Sequence, residues 1–174
     1  MVASFLEECL SILTRTPQTL DTLLRDLPAG WTEATEGPGT WSVHTVIGHL
    51  IHGEKTDWMP RRAIILEFGL DRPLDVFDRE AQFRESTGNA LSELLDEFKS
   101  LRQENVSRLR GMNLQPAQLE KMGMHPALGT VTVRQLLTTW TAHDLAHILQ
   151  ISRNMAGRYK LEVGPWAEYL SVMK

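Results

Sequence analysis

Apolar residues recur at every third or fourth position along most of the chain, and alternating apolar and polar runs are almost absent. This spacing puts the apolar side chains on one face of an α-helix, which turns every 3.6 residues. A first apolar stripe ends at Leu13. A second piece begins at Thr16-Pro17, because Thr caps helices well and Pro is tolerated in the first turn. The pattern predicts an all-α protein.

The second main helix is predicted to begin after the cap Ser42 and to extend to Phe68. Pro60 lies inside this stretch and is expected to bend or split the helix, because proline cannot donate the backbone hydrogen bond. A third helix is predicted over about residues 88–110, with a charged outer face and Gly after it as a stop.

The fourth main helix is predicted to begin after the cap Thr132 and to end near Met155. Two long stretches without helical period, residues 28–41 and 70–86, connect the earlier helices. Four helices joined in this way predict a four-helix bundle. We expect one domain over residues 1–174.

Composition narrows the class of partner. The 174 residues are 42% hydrophobic and 23% charged, which is typical of a folded globular domain. The net charge is −4 and the basic residues are scattered, so no cationic stripe suits nucleic acid or an anionic bilayer. A small-molecule substrate is therefore the expected partner, and neither nucleic acid nor membrane is expected.

Cys9 is the one cysteine of the sequence, so no internal disulfide is expected. It lies on the apolar stripe of the first helix, and we expect it to be a small buried side chain. No stretch approaches the roughly 18 apolar residues of a membrane span, and no basic run followed by an apolar block opens the sequence. These features favour a cytoplasmic location.

Two histidines, His143 and His147, stand four residues apart on the apolar stripe of the fourth helix. Residues four apart share a helix face, so both imidazoles point in one direction. Burying them without partners would cost about 1 to 3 kcal/mol per unsatisfied group. A bound ion would supply such a partner, and so would hydrogen bonds within the core.

The second helix supplies a third imidazole, either His49 or, one turn later, His52. Three neutral imidazoles suit Zn²⁺, Ni²⁺ or a similar divalent ion and leave positions open for water or substrate. The pair on the fourth helix also resembles the zinc-protease pattern H-E-x-x-H, but Asp144 stands where the Glu base belongs. The protease alternative is accordingly disfavoured.

Three further groups have two interpretations each. Asp144 and Gln150 either orient an imidazole through its second nitrogen or make hydrogen bonds to solvent or between helices. Glu54 is either a proton acceptor near the pocket or an exposed helix carboxylate. The tryptophans at helical spacing, Trp58, Trp140 and Trp166, are expected to be core or interface anchors.

Two segments resemble the DinB-like superfamily, which includes bacillithiol transferases and mycothiol-dependent maleylpyruvate isomerase. They are TWSVHTVIGHLIHGEKTDW and, later, HPALGTVTVRQLLTTWTAHDLAHILQISR. The resemblance implies a four-helix bundle of up-down-down-up topology and a divalent metal held by His49, His143 and His147. It places His52 beside the ligands or in the pocket and has His125 pack in its own turn. It also implies homodimers.

The resemblance implies a metal that activates a low-molecular-weight thiol or a water. The favoured function is therefore a metal-dependent thiol S-transferase or hydrolase. The alternative is a non-catalytic bundle that keeps the histidines for structure or for metal-dependent stability, acting in a stress response.

Overall fold

The computed structural model describes residues 2–174, apart from the side chain of Ala3. Its helices are Val2–Leu13 (α1), Thr16–Leu24 (α2), Ala29–Thr32 (α3), Val43–Thr56 (α4), Trp58–Phe68 (α5), Ala81–Glu85 (α6), Leu91–Gly111 (α7), Pro116–Leu119 (α8) and Val133–Gly157 (α9). Strands Met122–His125 (β1) and Gly129–Thr132 (β2) form an antiparallel hairpin. Two 3₁₀ helices, Gly164–Tyr169 and Ser171–Met173, follow α9.

The long helices form a bundle around two apolar clusters. In one cluster α1 and α5 pack against α9 around the fully buried Trp140, and α7 joins the cluster through its contact with α1. In the other, α2, α4 and α7 meet around Ile47 and Phe98, which are also fully buried. The predicted all-helical bundle is confirmed in this arrangement. The up-down-down-up topology stays a prediction.

Local signals in the sequence explain where the long helices begin. The Ser42 hydroxyl accepts a hydrogen bond from the backbone N–H of Thr45 at 3.2 Å. Thr132 and Gln135 form a reciprocal capping box, with bonds of 3.1 and 2.9 Å. Each cap satisfies backbone donors that have no partner inside the helix.

The second predicted helix is split, but three residues before the expected position. α4 ends at Thr56, and α5 begins after Asp57 (φ −101°, ψ −74°). Pro60 then lies in the first turn of α5, where its missing N–H costs nothing. The predicted helix therefore becomes two helices with a corner at Asp57.

The predicted loops contain more structure than expected. Residues 28–41 include α3, and residues 70–86 include α6. The third helix begins at Leu91 instead of 88, because the Glu93 carboxylate accepts from the Ala90 N–H at 2.9 Å and fixes the start there. Trp166 is 72% exposed, so it does not belong to the core, and its other expected role, as an interface anchor, stays a prediction.

The loop after α5 is tied to the hairpin. The Leu74 N–H donates to the Met124 carbonyl at 2.8 Å, and Pro73 pairs with Met124 as an isolated bridge. This contact places the loop and the hairpin along the same side of the bundle. Among residues 2–174, no helix is both long enough and apolar enough to cross a bilayer.

Candidate metal centre

Three imidazoles from α4 and α9 converge on one point. The Nε2 atoms of His49 and His143 lie 3.1 Å apart, and those of His147 and His143 lie 3.0 Å apart. Zn–N bonds of about 2.05 Å at tetrahedral angles separate two nitrogens by about 3.3 Å. Two of the separations therefore match this value, and the three ligand atoms all lie within 4.8 Å of one another, close enough to hold one divalent ion.

Burial keeps these rings neutral. It lowers the pKa of His49 to about 3 and that of His143 to about 3, and the neighbouring histidines contribute further. The pKa of His147 is also lowered, again mainly by burial. Neutral imidazoles keep a lone pair for a cation, so the three rings are in the protonation state that a metal requires.

The second ring nitrogen shows which Nε2 lone pair is fixed by a hydrogen bond: that of His147. His147 Nδ1 lies 2.8 Å from Gln150 Oε1, which accepts hydrogen bonds, so Nδ1 carries the proton and Nε2 offers its lone pair. His49 Nδ1 and His143 Nδ1 are buried and have no hydrogen-bond partner within residues 2–174. In these two rings Nε2 is therefore the nitrogen that has polar neighbours, and these neighbours are the Nε2 atoms of the other histidines.

Aromatic side chains hold the three imidazoles in place. Trp41 stacks on His147 at 6.4 Å between ring centroids and approaches His49 to 4.8 Å. Trp58 contacts His143 edge-on at 5.1 Å. A methyl group on Gly53 would lie 3.3 Å from the Trp58 ring nitrogen, so the small residue in α4 leaves room for Trp58.

The convergence point opens into a cavity of about 710 Å³, a volume typical of small-molecule sites. α4, α5 and α9 form one side of this cavity, and the loop after α5 and the hairpin form the other. The three histidines line it. An ion at their centre would therefore be open to a small molecule.

A buried ion network lies behind the histidines. Arg102 of α7 donates to both oxygens of Asp144, at 2.5 and 2.8 Å, and to Glu54 Oε1 at 3.0 Å. Trp140 and Asn105 also donate to the Glu54 carboxylate, at 2.9 and 3.0 Å. All three charged side chains are 0 to 1% exposed. The network therefore joins α4, α7 and α9.

This network corrects one sequence-based interpretation and decides another. Glu54 is neither a proton acceptor in the pocket nor an exposed carboxylate, because it is buried and bonded to Arg102. Asp144 does not hydrogen-bond an imidazole within the described chain; it bonds Arg102 of α7, which confirms the other interpretation, a hydrogen bond between helices. Of the two groups expected to orient a histidine, Gln150 makes that contact. The signal for Arg102 was its place on the apolar stripe of α7, one turn after Phe98.

The other two histidines considered in the sequence lie near the three-histidine cluster but outside it. His52 is buried, and its Nδ1 lies 3.3 Å from Glu85 Oε2. His125 Nδ1 accepts from the backbone N–H groups of Ala127 and Leu128, both at 3.1 Å, so it packs in its own turn as expected. His125 also lines the cavity, which the sequence did not indicate.

The sequence matches the profile of the DinB superfamily over residues 12–151. The chain belongs to the DinB superfamily.

Solved structures show the same fold. The structure of YfiT from Bacillus subtilis superposes with a TM-score of 0.70 at 21% sequence identity, covering 87% of each chain. YfiT is described as a probable metal-dependent hydrolase with an unusual four-helix bundle topology. No curated protein matches the chain significantly.

Proposed function

We propose that this protein is a divalent-metal-dependent enzyme that acts on a small molecule, either as a hydrolase or as a thiol S-transferase. The observation that carries the proposal is the convergence of three neutral Nε2 atoms at the wall of an open cavity. The description of YfiT supports metal-dependent chemistry on this fold. Zn²⁺ and Ni²⁺ are the ions that best suit three imidazoles.

A divalent ion held by His49, His143 and His147 would supply Lewis acidity, which would lower the pKa of a water or a thiol and provide a nucleophile near neutral pH. The protein itself orients the histidine rings and shields them from bulk water. The Gln150 side-chain oxygen fixes the tautomer of His147, while Trp41 and Trp58 fix the ring planes. The cavity leaves room for a thiol and an electrophile together or for one hydrolysable substrate.

Metal content tests the first half of the proposal. Protein purified without a histidine tag and incubated with Zn²⁺ or Ni²⁺ should hold about one ion per chain by elemental analysis. His49→Gln and His143→Gln should lose the ion while keeping the helical circular-dichroism spectrum. His44→Gln is the matched control, because His44 lies on the same helix and bonds Asn89 outside the cluster. A wild type that binds no ion would refute the proposal.

Isotope incorporation tests the second half. The loaded protein is incubated with a panel of electrophilic substrates and low-molecular-weight thiols in H₂¹⁸O, and the products are analysed by mass spectrometry. Label in the product indicates a hydrolase, and a thioether or thioester indicates a transferase. An ion-binding protein without turnover against either panel would favour the non-catalytic alternative.

We also propose a homodimer, with the exposed side of α9 as the contact. Leu145 and Leu149 are about half exposed there, beside exposed Ala142 and Ala146. Light scattering should give twice the chain mass for the wild type, and Leu145→Glu should give the monomer mass. A monomeric wild type would contradict the proposal.

A further inference from the structure

The cavity beside the histidines has an unbalanced charge. Within residues 2–174 its lining contains one acidic residue, Asp57, and two arginines, Arg61 and Arg79. Asp57 and Arg61 neutralise each other, because Arg61 Nε lies 2.6 Å from Asp57 Oδ1. Arg61 also donates to the Asp75 carbonyl at 3.0 Å. One positive charge, that of Arg79, is left over in a chain whose net charge is −4.

Arg79 has no internal partner in the described part of the chain. Its guanidinium makes no hydrogen bond or ion pair there, and the adjacent Asp78 is paired with Arg84 instead. Arg79 lines the same cavity as His49, His143 and His147. The guanidinium therefore remains available to a ligand.

The apolar part of the cavity lies next to this charge. Phe77, two residues before Arg79, contacts His49 edge-on at 5.4 Å, and Trp41 contacts the same imidazole at 4.8 Å. The two rings form aromatic walls on the His49 side of the cavity. Leu136 and Val131 continue the apolar lining. An apolar group would pack against such walls, while a charged one would lose its hydration.

We propose that this cavity selects organic anions, with Arg79 binding a carboxylate and with Trp41 and Phe77 contacting an apolar, preferably aromatic, body. The proposal rests on the metal-dependent function above and names its substrate class. In that binding mode the remainder of the molecule reaches the three Nε2 atoms. Arginine suits this role because its planar fork binds a carboxylate through two parallel hydrogen bonds.

Paired probes test the charge selection directly. Phenylacetate, 3-phenylpropionate and 4-phenylbutyrate are each titrated against the protein together with the corresponding neutral amide. Quenching of tryptophan fluorescence reports binding. Every titration is done on the metal-loaded protein and on chelator-treated protein, where the carboxylate has no ion to bind.

At least one carboxylate should bind about 10- to 100-fold more tightly than its amide, as expected for hydrogen bonds to a charged group. Arg79→Gln should abolish this preference, and Arg79→Lys should restore part of it. Arg72→Gln is the matched control and should keep it. Arg72 lies in the same loop, but its guanidinium packs over Phe68 near Asp75, outside the cavity.

The remaining outcomes separate the two proposals. Equal binding of acids and amides, no binding of either, or a preference that survives in Arg79→Gln would each overturn the anion proposal. If the wild type prefers carboxylates but binds neither Zn²⁺ nor Ni²⁺, the anion site is supported and the metal-dependent function is refuted. If the wild type binds the ion but does not prefer carboxylates, the metal-dependent function is supported and the anion site is refuted.

Discussion

Replacing Arg102 with Met removes the guanidinium of the buried network while keeping most of the side-chain volume. In the wild type the Arg102 guanidinium bonds Asp144, Glu54 and the Leu13 carbonyl, and its side chain is 1% exposed. In Arg102→Met the carboxylates of Glu54 and Asp144 stay buried but lose the positive charge that pairs with both of them. The variant therefore tests whether this network stabilises the fold.

The two carboxylates are affected unequally by this change. Glu54 keeps the donors Trp140 and Asn105, whereas Asp144 loses every side-chain donor that it has in the described chain. Breaking a buried ion pair from one side costs about 3–5 kcal/mol. For a chain of this length each kcal/mol lowers the melting temperature by about 2–4 °C, so the expected decrease is about 6–20 °C.

Urea unfolding followed by circular dichroism, with a chelator present, measures this loss without a contribution from bound metal. Lys55→Met is the matched control. Lys55 follows Glu54 on α4 and pairs with Glu97 on α7 at 2.7 Å, but both side chains are nearly 40% exposed. That pair joins the same two helices in water, and its loss should cost at most about 1 kcal/mol.

A second variant separates lost charge balance from lost packing. Arg102→Met combined with Asp144→Asn removes the most affected carboxylate charge and should be more stable than Arg102→Met alone. Equal losses in Arg102→Met and Lys55→Met would refute the reasoning, because they would mean that the network is as hydrated as a surface pair. A double variant less stable than the single one would show that packing, and not charge, dominates.

Two further predictions concern packing. Gly48→Ala should lower the free energy of unfolding by about 1–3 kcal/mol in the same urea assay, since the new methyl group would overlap Ser86 Oγ between α4 and α6. Gly111→Ala, where nothing lies within 4 Å, should be neutral or stabilising, and equal losses at both sites would contradict the packing argument. The Cys9 thiol should react with a thiol reagent near pH 8 much more slowly than in urea-unfolded protein, because the side chain is buried and burial raises its pKa; equal rates would show that α1 opens readily.

Much of the fold could be predicted because its signals are local. The caps Ser42 and Thr132 each bond the backbone of their own helix, and the 3.6-residue period also depends only on residues of one helix. The shared direction of His143 and His147 follows from the same period. The corner at Asp57 could not be predicted in the same way. Pro60 indicates only that its own position does not need a backbone N–H donor, and this holds throughout the first turn of a helix, so the break lies three residues before the proline.

The site could be predicted only in part, because its other contacts are long-range. His49 meets His143 across 94 positions of the chain. The helical period placed His49 at the edge of the apolar side of the helix but left His52 as an alternative, and the family resemblance selected His49. Arg102 reaches Asp144 across 42 positions, so nothing near Asp144 in the sequence indicated that its partner would be an arginine. Arg79 lies in a loop without helical period, so the sequence alone does not indicate where its side chain points.

The buried network and the candidate metal centre depend on each other through the helices that they share. Glu54 follows His49 by five residues on α4, and Asp144 directly follows His143 on α9. Because Arg102 bonds both carboxylates, it fixes the separation of α4 and α9, and this separation sets the 3.1 Å between the two imidazole nitrogens. The network also has one more negative than positive group. A buried excess of negative charge is costly by itself and becomes less so beside a cation, so the same three residues that hold the helices together also favour a positive ion among the histidines.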